Sequence, residues 1–281
     1  MAAGLIPPIS VVAPQPATDE QILRVHDQDY LEKVRTGCLT KHEVRRIGFP
    51  WSPALVQRAR CSVGGTISAC RAALRDGIAV NLAGGTHHAF RGHGEGYCIF
   101  NDSVIAIRSM QDEGRIERAV ILDGDVHQGN GTAAIAAADP TIFTLSIHGE
   151  RNFPRRKERS DLDVALPDGI GDGPYLAAWD ASVRRALRLG SSSGPPRVGL
   201  AIYLAGADPY EDDRLGRLAL SKAGLAQRDA RTFEQCREAG VPVATVMAGG
   251  YARRVEDTVA IHLQTVHLAA EFVREGYPGR A

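Results

Sequence analysis

The sequence has no excess of charge of either sign. It contains 33 lysine and arginine residues and 33 aspartate and glutamate residues, so its formal net charge is zero. Proteins that bind nucleic acid directly or lie on anionic membranes usually carry a basic surplus that attracts these polyanions. We therefore expect no direct nucleic-acid binding, and any polymer partner must be recognised by a local surface.

Long apolar runs and disulfide motifs are also absent. Residues 1–17 contain four prolines and lack the basic start of a signal peptide, and no later run approaches membrane-spanning length. The cysteines are odd in number and form no Cys-x-x-Cys pair: Cys38, Cys61, Cys70, Cys98 and Cys236. A chain of 281 residues buries enough surface to fold without disulfides. These absences favour a reduced, cytoplasmic protein that does not associate with membranes.

The first part of the chain predicts an irregular segment followed by helices. The prolines of residues 1–17 predict an extended lead-in, and residues 18–281 then form one domain. Thr18 and Gln21 match a capping box, and the apolar spacing after them predicts a helix to about Arg35. A second helix begins at Ser52 and Pro53, and two glycines inside it, at 64 and 65, indicate close packing or a bend.

From residue 77 onward, short apolar runs alternate with amphipathic stretches. The predicted strands are 78–83, 119–123, 141–147, 198–204 and 241–247, and the predicted helices are 101–113, 131–138, 173–189, 221–239 and 254–274. This alternation predicts a single α/β domain with a central, mostly parallel sheet and helices on both faces. The Gly/Ser/Pro run at 190–196 is too short for a domain linker and predicts a surface loop.

Polar side chains follow each predicted strand. They are His87 and His88, then Asp123, Asp125 and His127, then His148, Asp208 and Tyr251. Because parallel strands end at the same edge of a sheet, we expect these side chains to converge there, where α/β proteins bind ligands. Asp125 and His127 are also spaced as a chelating pair for a divalent ion. Each motif alone has an ordinary alternative, such as a polar turn that caps the next helix.

These motifs resemble the zinc-dependent histone deacetylase family, which has the arginase/deacetylase fold. The matching blocks are GGTHHAF (84–90), GEGYCIFND (94–102), LDGDVHQGNG (122–131), LAGADPYEDDRLG (204–216) and AGGY (248–251), in the family's order. The Gln-Gly-Asn that follows His127 is most similar to the class IV branch and its bacterial relatives. The resemblance implies that 18–281 is a deacetylase-like catalytic domain.

Carried over by position, the resemblance implies that Asp125, His127 and Asp208 bind Zn²⁺, with Fe²⁺ or another divalent ion as the alternative. Three ligands of mixed nitrogen and oxygen type leave an open position, as a catalytic zinc requires. Such an ion activates water and polarises an amide carbonyl. The same match suggests a K⁺ or Na⁺ site near Asp123, Ser146 and Ile147.

The resemblance also assigns the catalytic side chains. His87 and His88 would act as general base and general acid, oriented by Asp123 and Asn130, and Tyr251 would stabilise the oxyanion. A carboxylate partner favours the imidazolium, so we expect His87 to be more basic than His88, whose partner is the neutral Asn130. His93 and His148 have no matched role and are predicted to lie in loops.

The implied substrate site is a narrow tunnel for an acyl-lysine side chain. Its matched residues are Gly96, Tyr97, Phe153, Gly249 and Gly250. The family usually begins with a strand and a His-Arg-Phe-Pro-like loop ahead of the helix predicted at 18–35, and this chain has too few residues there to supply them. We therefore expect a missing edge strand and an incomplete pocket rim.

The leading function is removal of acetyl or longer acyl groups from the side-chain nitrogen of lysine in proteins. The first alternative is a deacetylase of acetylpolyamines or other small amides, which acidic residues at the mouth, such as Glu211, Asp212 and Asp213, would favour. A non-catalytic acyl-lysine binding module is the second alternative, although it predicts loss of a ligand or of Tyr251. A binuclear manganese ureohydrolase is the third, and it would need further carboxylate ligands where the chain has Gln128 and Asn130.

Overall fold

Six parallel strands form one sheet, which confirms the predicted fold class. The computed structural model describes residues 11–189 and 197–276. The strands are β1 (Ile78–Asn81), β2 (Arg118–Asp123), β3 (Ile142–Gly149), β4 (Leu162–Leu166), β5 (Val198–Leu204) and β6 (Val243–Val246). Their order across the sheet is β1-β6-β5-β2-β3-β4, and every pairing is parallel.

The strand order places a crevice between β2 and β5. From β2 the chain continues outward to β3 and β4, whereas from β5 it continues in the opposite direction to β6. The loops that leave these two neighbouring strands therefore diverge, and they open a cleft at the carboxyl edge of the sheet. The β2 loop carries Asp125 and His127, and the β5 loop carries Asp208.

The helices cover both faces of the sheet. They are α1 (Asp19–Leu23), α2 (Gln28–Thr36), α3 (Lys41–Ile47), α4 (Pro53–Asp76), α5 (Asp102–Asp112), α6 (Asn130–Ala136), α7 (Asp172–Leu189), α8 (Lys222–Glu238) and α9 (Val255–Arg274). Helices α4, α5 and α6 pack on one face, and α7, α8 and α9 pack on the other. Two apolar clusters separate these layers from the sheet, and Trp179 and Phe233 are fully buried in one of them.

The predicted helix at 18–35 is wrong, because the chain forms two helices there. The capping box of Thr18 and Gln21 is present, but α1 ends at Leu23. The break lets His26 turn into the core, where its Nε2 accepts the backbone N–H of Asn101 at 2.9 Å. Asp27 then donates its N–H to the carbonyl of Arg91 instead of continuing the helix. A tertiary contact therefore overrides the local helical pattern.

Two elements and one histidine also differ from the sequence predictions. The prediction did not include α3, although Thr40 and Glu43 form a complete capping box at its start. It also lacked β4, a short edge strand with alternating burial. His148 was predicted in a loop but lies inside β3 and is buried, whereas His93 does lie between the regular elements.

The glycines at 64 and 65 allow close packing inside α4, as predicted. A Cβ at Gly64 would collide with the backbone of Gln15, and one at Gly65 would lie 2.6 Å from the side chain of Asn81. Residues 11–17 contain no helix or strand, and no strand lies between residues 11 and 77, where the sequence predicted that the family's first edge strand is missing. The predicted loop at 190–196, residues 1–10 and residues 277–281 lie outside the described residues.

The five cysteines are free thiols. Across the described parts of the chain, none of the helices combines the length and apolar character that a membrane crossing requires.

Candidate metal and catalytic site

Two carboxylates and one imidazole meet in the cleft between β2 and β5. Asp125, His127 and Asp208 are all buried, and one potential ligand atom from each lies within 4.8 Å of the others. His127 Nδ1 lies 2.9 Å from Asp125 Oδ1 and 3.2 Å from Asp208 Oδ2. A tetrahedron with bonds of 2.0–2.1 Å has edges of about 3.4 Å, so this spacing is close to that of ligands around one zinc ion.

The surroundings of the three residues also fit a cation. Asp208 Oδ2 is buried and has no hydrogen-bond partner among the described residues, although His127 Nδ1 lies 3.2 Å from it. Burial and the neighbouring Asp125 carboxylate raise the pKa of Asp208. An unsatisfied, buried oxygen beside a second carboxylate is costly unless a positive charge is present. The donor set therefore fits a divalent ion.

Backbone N–H groups fix the orientation of both carboxylates. Val126 donates to Asp208 Oδ1 at 2.9 Å, which turns the other oxygen of Asp208 toward His127. Gly249 donates to Asp125 Oδ2 at 2.8 Å. A Cβ at Gly249 would lie only 2.1 Å from Asp208 Oδ2, so this position requires glycine. Gly250 instead faces Thr258 and Ala207. The structure thus places Gly249 against the ligand cluster, whereas the resemblance assigned it to the substrate.

Two histidines lie side by side next to the ligand cluster, each held by a different partner. Their ring centroids are 4.1 Å apart. His87 Nδ1 lies 2.7 Å from Asp123 Oδ2, and His88 Nδ1 lies 2.7 Å from Asn130 Oδ1. Because each partner atom accepts, the Nδ1 of each ring carries a proton, and Nε2 is the reactive nitrogen of both.

The different partners separate the basicities of the two rings. Burial lowers the pKa of His87, but the nearby Asp123 and Asp125 carboxylates outweigh it and raise that pKa to about 9. Burial and the charge of His87 lower the pKa of His88 well below its usual value. These directions agree with those expected from a carboxylate and an amide partner.

Tyr251 follows β6 and lies near the ligand cluster. Its ring centroid lies 6.4 Å from that of His127. Its backbone N–H donates to the buried Asp213 Oδ2 at 2.6 Å, and Asp213 Oδ1 accepts the N–H groups of Leu215 and Gly216. Asp213 therefore fixes Tyr251 to the β5 loop. Asp213 is thus a buried support of this loop, whereas the sequence suggests an acidic group at the mouth.

Two aromatic side chains stand at the entrance to the cleft. Tyr97 and Phe153 are 44% and 42% exposed, which is unusual for such large apolar rings. Phe153 packs edge-on against His88 with ring centroids 4.9 Å apart. Tyr97 has a positive φ of 67°, and its N–H donates to the carbonyl of Ile47 at 2.7 Å. A Cβ at Gly96 would lie 2.6 Å from His88, so glycine lets the entrance approach the histidine.

Sequence reasoning did not identify two buried charged residues that support the site. Asp102 accepts the N–H groups of Gly85 and Thr86 and so holds the turn before the histidine pair. Arg228 is completely buried on α8, and its Nη1 donates to the carbonyls of Gly124 and Gly206 at 3.0 and 2.8 Å. It therefore ties together the two loops that carry the ligands. The sequence signal for such residues is a charged side chain on the apolar face of a predicted helix, because Asp and Arg are rarely buried without a partner.

The residues matched to a monovalent-cation site lie beside the cluster. Asp123 and Ser146 are register partners on β2 and β3, and both are buried, as is Ile147. Ser146 Oγ lies 3.0 Å from Nδ1 of the buried His148. The K⁺ or Na⁺ site stays a prediction.

Comparison with known families establishes the relationship. The family model described as the histone deacetylase domain matches residues 1–266. The chain belongs to the histone deacetylase family. A protein of Picosynechococcus sp. is 45% identical to this family member over 270 residues, which cover 96% of this chain and 88% of the relative. Histone deacetylase 2 of Arabidopsis thaliana is 32% identical over 270 residues, which cover 91% of this chain and 68% of the relative.

Further relatives support the same family assignment. The histone deacetylase-like amidohydrolase of Pseudomonas aeruginosa is 29% identical over 268 residues, with 89% of this chain and 68% of the relative covered. The crystal structure of a histone deacetylase homolog from Aquifex aeolicus superimposes with a TM-score of 0.74 at 22% identity, over 98% of this chain and 80% of that chain. This structural likeness confirms the fold. Membership in the histone deacetylase family supports deacetylase chemistry, and therefore a hydrolase.

Proposed function

We propose that this histone deacetylase family member is a zinc-dependent deacylase that removes acetyl or longer acyl groups from the side-chain nitrogen of lysine. One observation carries the proposal: two members of the ligand cluster, Asp125 and His127, line the same cavity of about 430 Å³ as the two differently paired histidines and Tyr251. Asp125, His127 and Asp208 would hold the ion, and the chemistry that it supplies when bound is that of a Lewis acid toward an amide carbonyl.

The two histidines divide the proton transfers. His88 is neutral near pH 7 because its pKa is lowered, so its Nε2 accepts the proton of the attacking water. His87 keeps its proton because Asp123 stabilises the imidazolium, and it donates this proton to the departing lysine nitrogen. An amide partner for one ring and a carboxylate for the other provide a base and an acid at the same pH.

Tyr251 acts as a hydrogen-bond donor to the oxyanion. Burial and the charges of Asp125 and Asp208 raise the pKa of its phenol, so the hydroxyl stays protonated throughout the working pH range. Asp213 holds its backbone in place through a 2.6 Å hydrogen bond. A donor fixed before the reaction stabilises developing charge without reorganisation, which lowers the barrier.

The entrance residues are suited to an aliphatic chain that carries an acyl group. Tyr97 and Phe153 both line the outer cavity and leave a large part of their rings exposed. Rings of this kind bind the methylene groups of a lysine side chain by apolar contact. Gly96, between them and His88, allows the chain to reach the cleft.

The acetylpolyamine alternative has less support from the surroundings of the entrance. Asp213 is buried and used in hydrogen bonds to backbone N–H groups, and Asp212 is paired with Arg253 at 3.1 Å. Neither these two aspartates nor Glu211 lines the two cavities at the site. The acids that would attract a polyamine are therefore not directed at the entrance.

The test is hydrolysis of an acetyl-lysine peptide by the purified protein, measured after chelation, after zinc is restored, and in Tyr251→Phe. We expect activity to vanish on chelation, to return with zinc, and to fall by at least about 100-fold in the tyrosine variant, which keeps its zinc. A folded, zinc-loaded protein that cleaves neither acetyl-lysine nor longer acyl-lysine peptides would refute the proposal. Cleavage of acetylated polyamines instead would support the alternative.

A further inference from the structure

The outer cavity, through which a substrate enters, is lined by arginines. It has a volume of about 730 Å³ and contains Tyr97 and Phe153 together with Arg45, Arg46, Arg151 and Arg217. Glu95 is the single acidic side chain among the described residues that line it. Since the whole chain has a net charge of zero, this positive charge is a local feature of the entrance.

Acidic neighbours neutralise these arginines only in part. Arg46 lies 3.8 Å from Glu95, a distance longer than a hydrogen bond. Arg217 and Arg151 share one carboxylate, that of Asp168, at 3.2 and 3.9 Å. Within the described part of the chain, the four arginines therefore have only two carboxylates near them, those of Glu95 and Asp168.

Arg45 is the clearest unpaired charge of the four. It is exposed on α3, and no ion pair or hydrogen bond of its guanidinium is found among the described residues. Its helix ends beside the entrance, because the carbonyls of Arg46 and Ile47 accept the N–H groups of Gly96 and Tyr97. These two backbone hydrogen bonds hold the end of α3, and with it Arg45, next to the entrance.

The loop between β3 and β4 brings Arg151 and Phe153 to the outer cavity. Its other basic residues are Arg155, Arg156, Lys157 and Arg159, and its acidic residues are Glu150, Glu158 and Asp161, so the loop as a whole has a net positive charge. An acyl-lysine whose stem lies between Tyr97 and Phe153 would have its flanking residues between this loop and α3. Opposite charge there steers association, and like charge opposes it.

We propose that the entrance selects acyl-lysine segments with acidic residues on either side of the lysine; this inference rests on the proposed deacylase function. The guanidinium groups of Arg45, Arg46, Arg151 and Arg217 would pair with the carboxylates of the flanking residues. A cationic polyamine or a lysine-rich segment would be repelled by the same groups.

The test uses three acetyl-lysine peptides of equal length in which the flanking residues are aspartate, asparagine or lysine. Binding to the zinc-loaded full chain is measured by fluorescence anisotropy, and hydrolysis is measured as kcat/KM. The test variant combines Arg45→Gln with Arg151→Gln. The matched control is Arg185→Gln. Arg185 is exposed near the end of α7, and because α7 precedes β5, its end lies at the amino ends of the strands, away from the cleft.

We expect the aspartate peptide to bind about tenfold more tightly than the lysine peptide at low ionic strength, and the difference to shrink as salt is added. The double variant should reduce the preference to about twofold, and Arg185→Gln should leave it unchanged. Equal binding of the three peptides, or a preference that the double variant keeps, would overturn the inference.

Other outcomes separate this inference from the proposed function. A charge preference in binding without hydrolysis of any peptide would refute the deacylase proposal and leave the acidic preference standing. Tighter binding of an acetylated polyamine than of the aspartate peptide would overturn the inference. Duplex DNA that binds and displaces all three peptides equally would also overturn it, because the arginines would then form a nucleic-acid surface.

Discussion

The substitution Gly249→Ala tests the ligand cluster without removing a ligand. The new Cβ would lie 2.1 Å from Asp208 Oδ2 and 2.7 Å from Asp125 Oδ2, whereas ordinary contact begins at 3.4 Å. At least one carboxylate must therefore move by more than 1 Å. Metal–ligand distances tolerate changes of only about 0.2 Å. We expect zinc affinity to fall by at least about 100-fold, equivalent to about 2.8 kcal/mol.

The matched control is the neighbouring Gly250→Ala. Its Cβ would meet the Thr258 methyl at 2.7 Å and the Ala207 Cβ at 3.1 Å, so it introduces a milder clash away from the carboxylates. We expect this variant to lose stability but to keep zinc affinity within about threefold of the wild type, since overpacking mainly costs folding energy.

The assay is a zinc titration in competition with a chromophoric chelator, with circular dichroism of the metal-free protein to establish folding. If folded Gly249→Ala binds zinc as tightly as the wild type, the assignment of Asp125 and Asp208 as ligands is refuted. If both variants lose zinc equally, the effect arises from general distortion of the loop that follows β6.

Three further predictions concern proton transfer and stability. In Asn130→Asp, the added carboxylate should raise the pKa of His88, so more base is protonated at acidic pH and the acidic limb of the pH–rate profile moves to higher pH; an unchanged limb contradicts the assigned roles. Burial lowers the pKa of His26 to about 4 from an ordinary 6.5, so the neutral ring stabilises the fold above pH 6.5, and about 3 kcal/mol is lost as the pH falls toward 4. Urea unfolding should show this pH dependence weakened in His26→Gln, and an identical slope would argue against it. Arg228→Met leaves the Asp229 carboxylate without its ion-pair partner and should cost about 3–5 kcal/mol in urea unfolding, whereas a loss below about 1 kcal/mol would mean that the pair is not needed.

The sequence by itself determined the alternation of strands and helices, because its apolar periodicity reflects burial in layers. It also determined which residues reach the cleft. Polar groups directly after parallel strands have to meet at one edge, and the pairs His87 with Asp123 and His88 with Asn130 are found as the family resemblance implied.

Only the tertiary structure decided features that depend on contacts between distant segments. The helix predicted at 18–35 breaks because His26 bonds to Asn101, 75 positions away. Asp213 supports Tyr251 across 38 positions, and Arg228 reaches Gly124 across 104. No local pattern encodes such partners, since periodicity reports only whether a residue is buried and not what it touches.

The positive charge at the entrance likewise depends on the tertiary structure. Asp213 accepts backbone N–H groups and Asp212 pairs with Arg253, whereas arginines from three separate segments line the cavity of Tyr97 and Phe153. A net charge of zero describes the chain as a whole. The fold decides where each sign is exposed, because it brings together side chains that the sequence keeps apart.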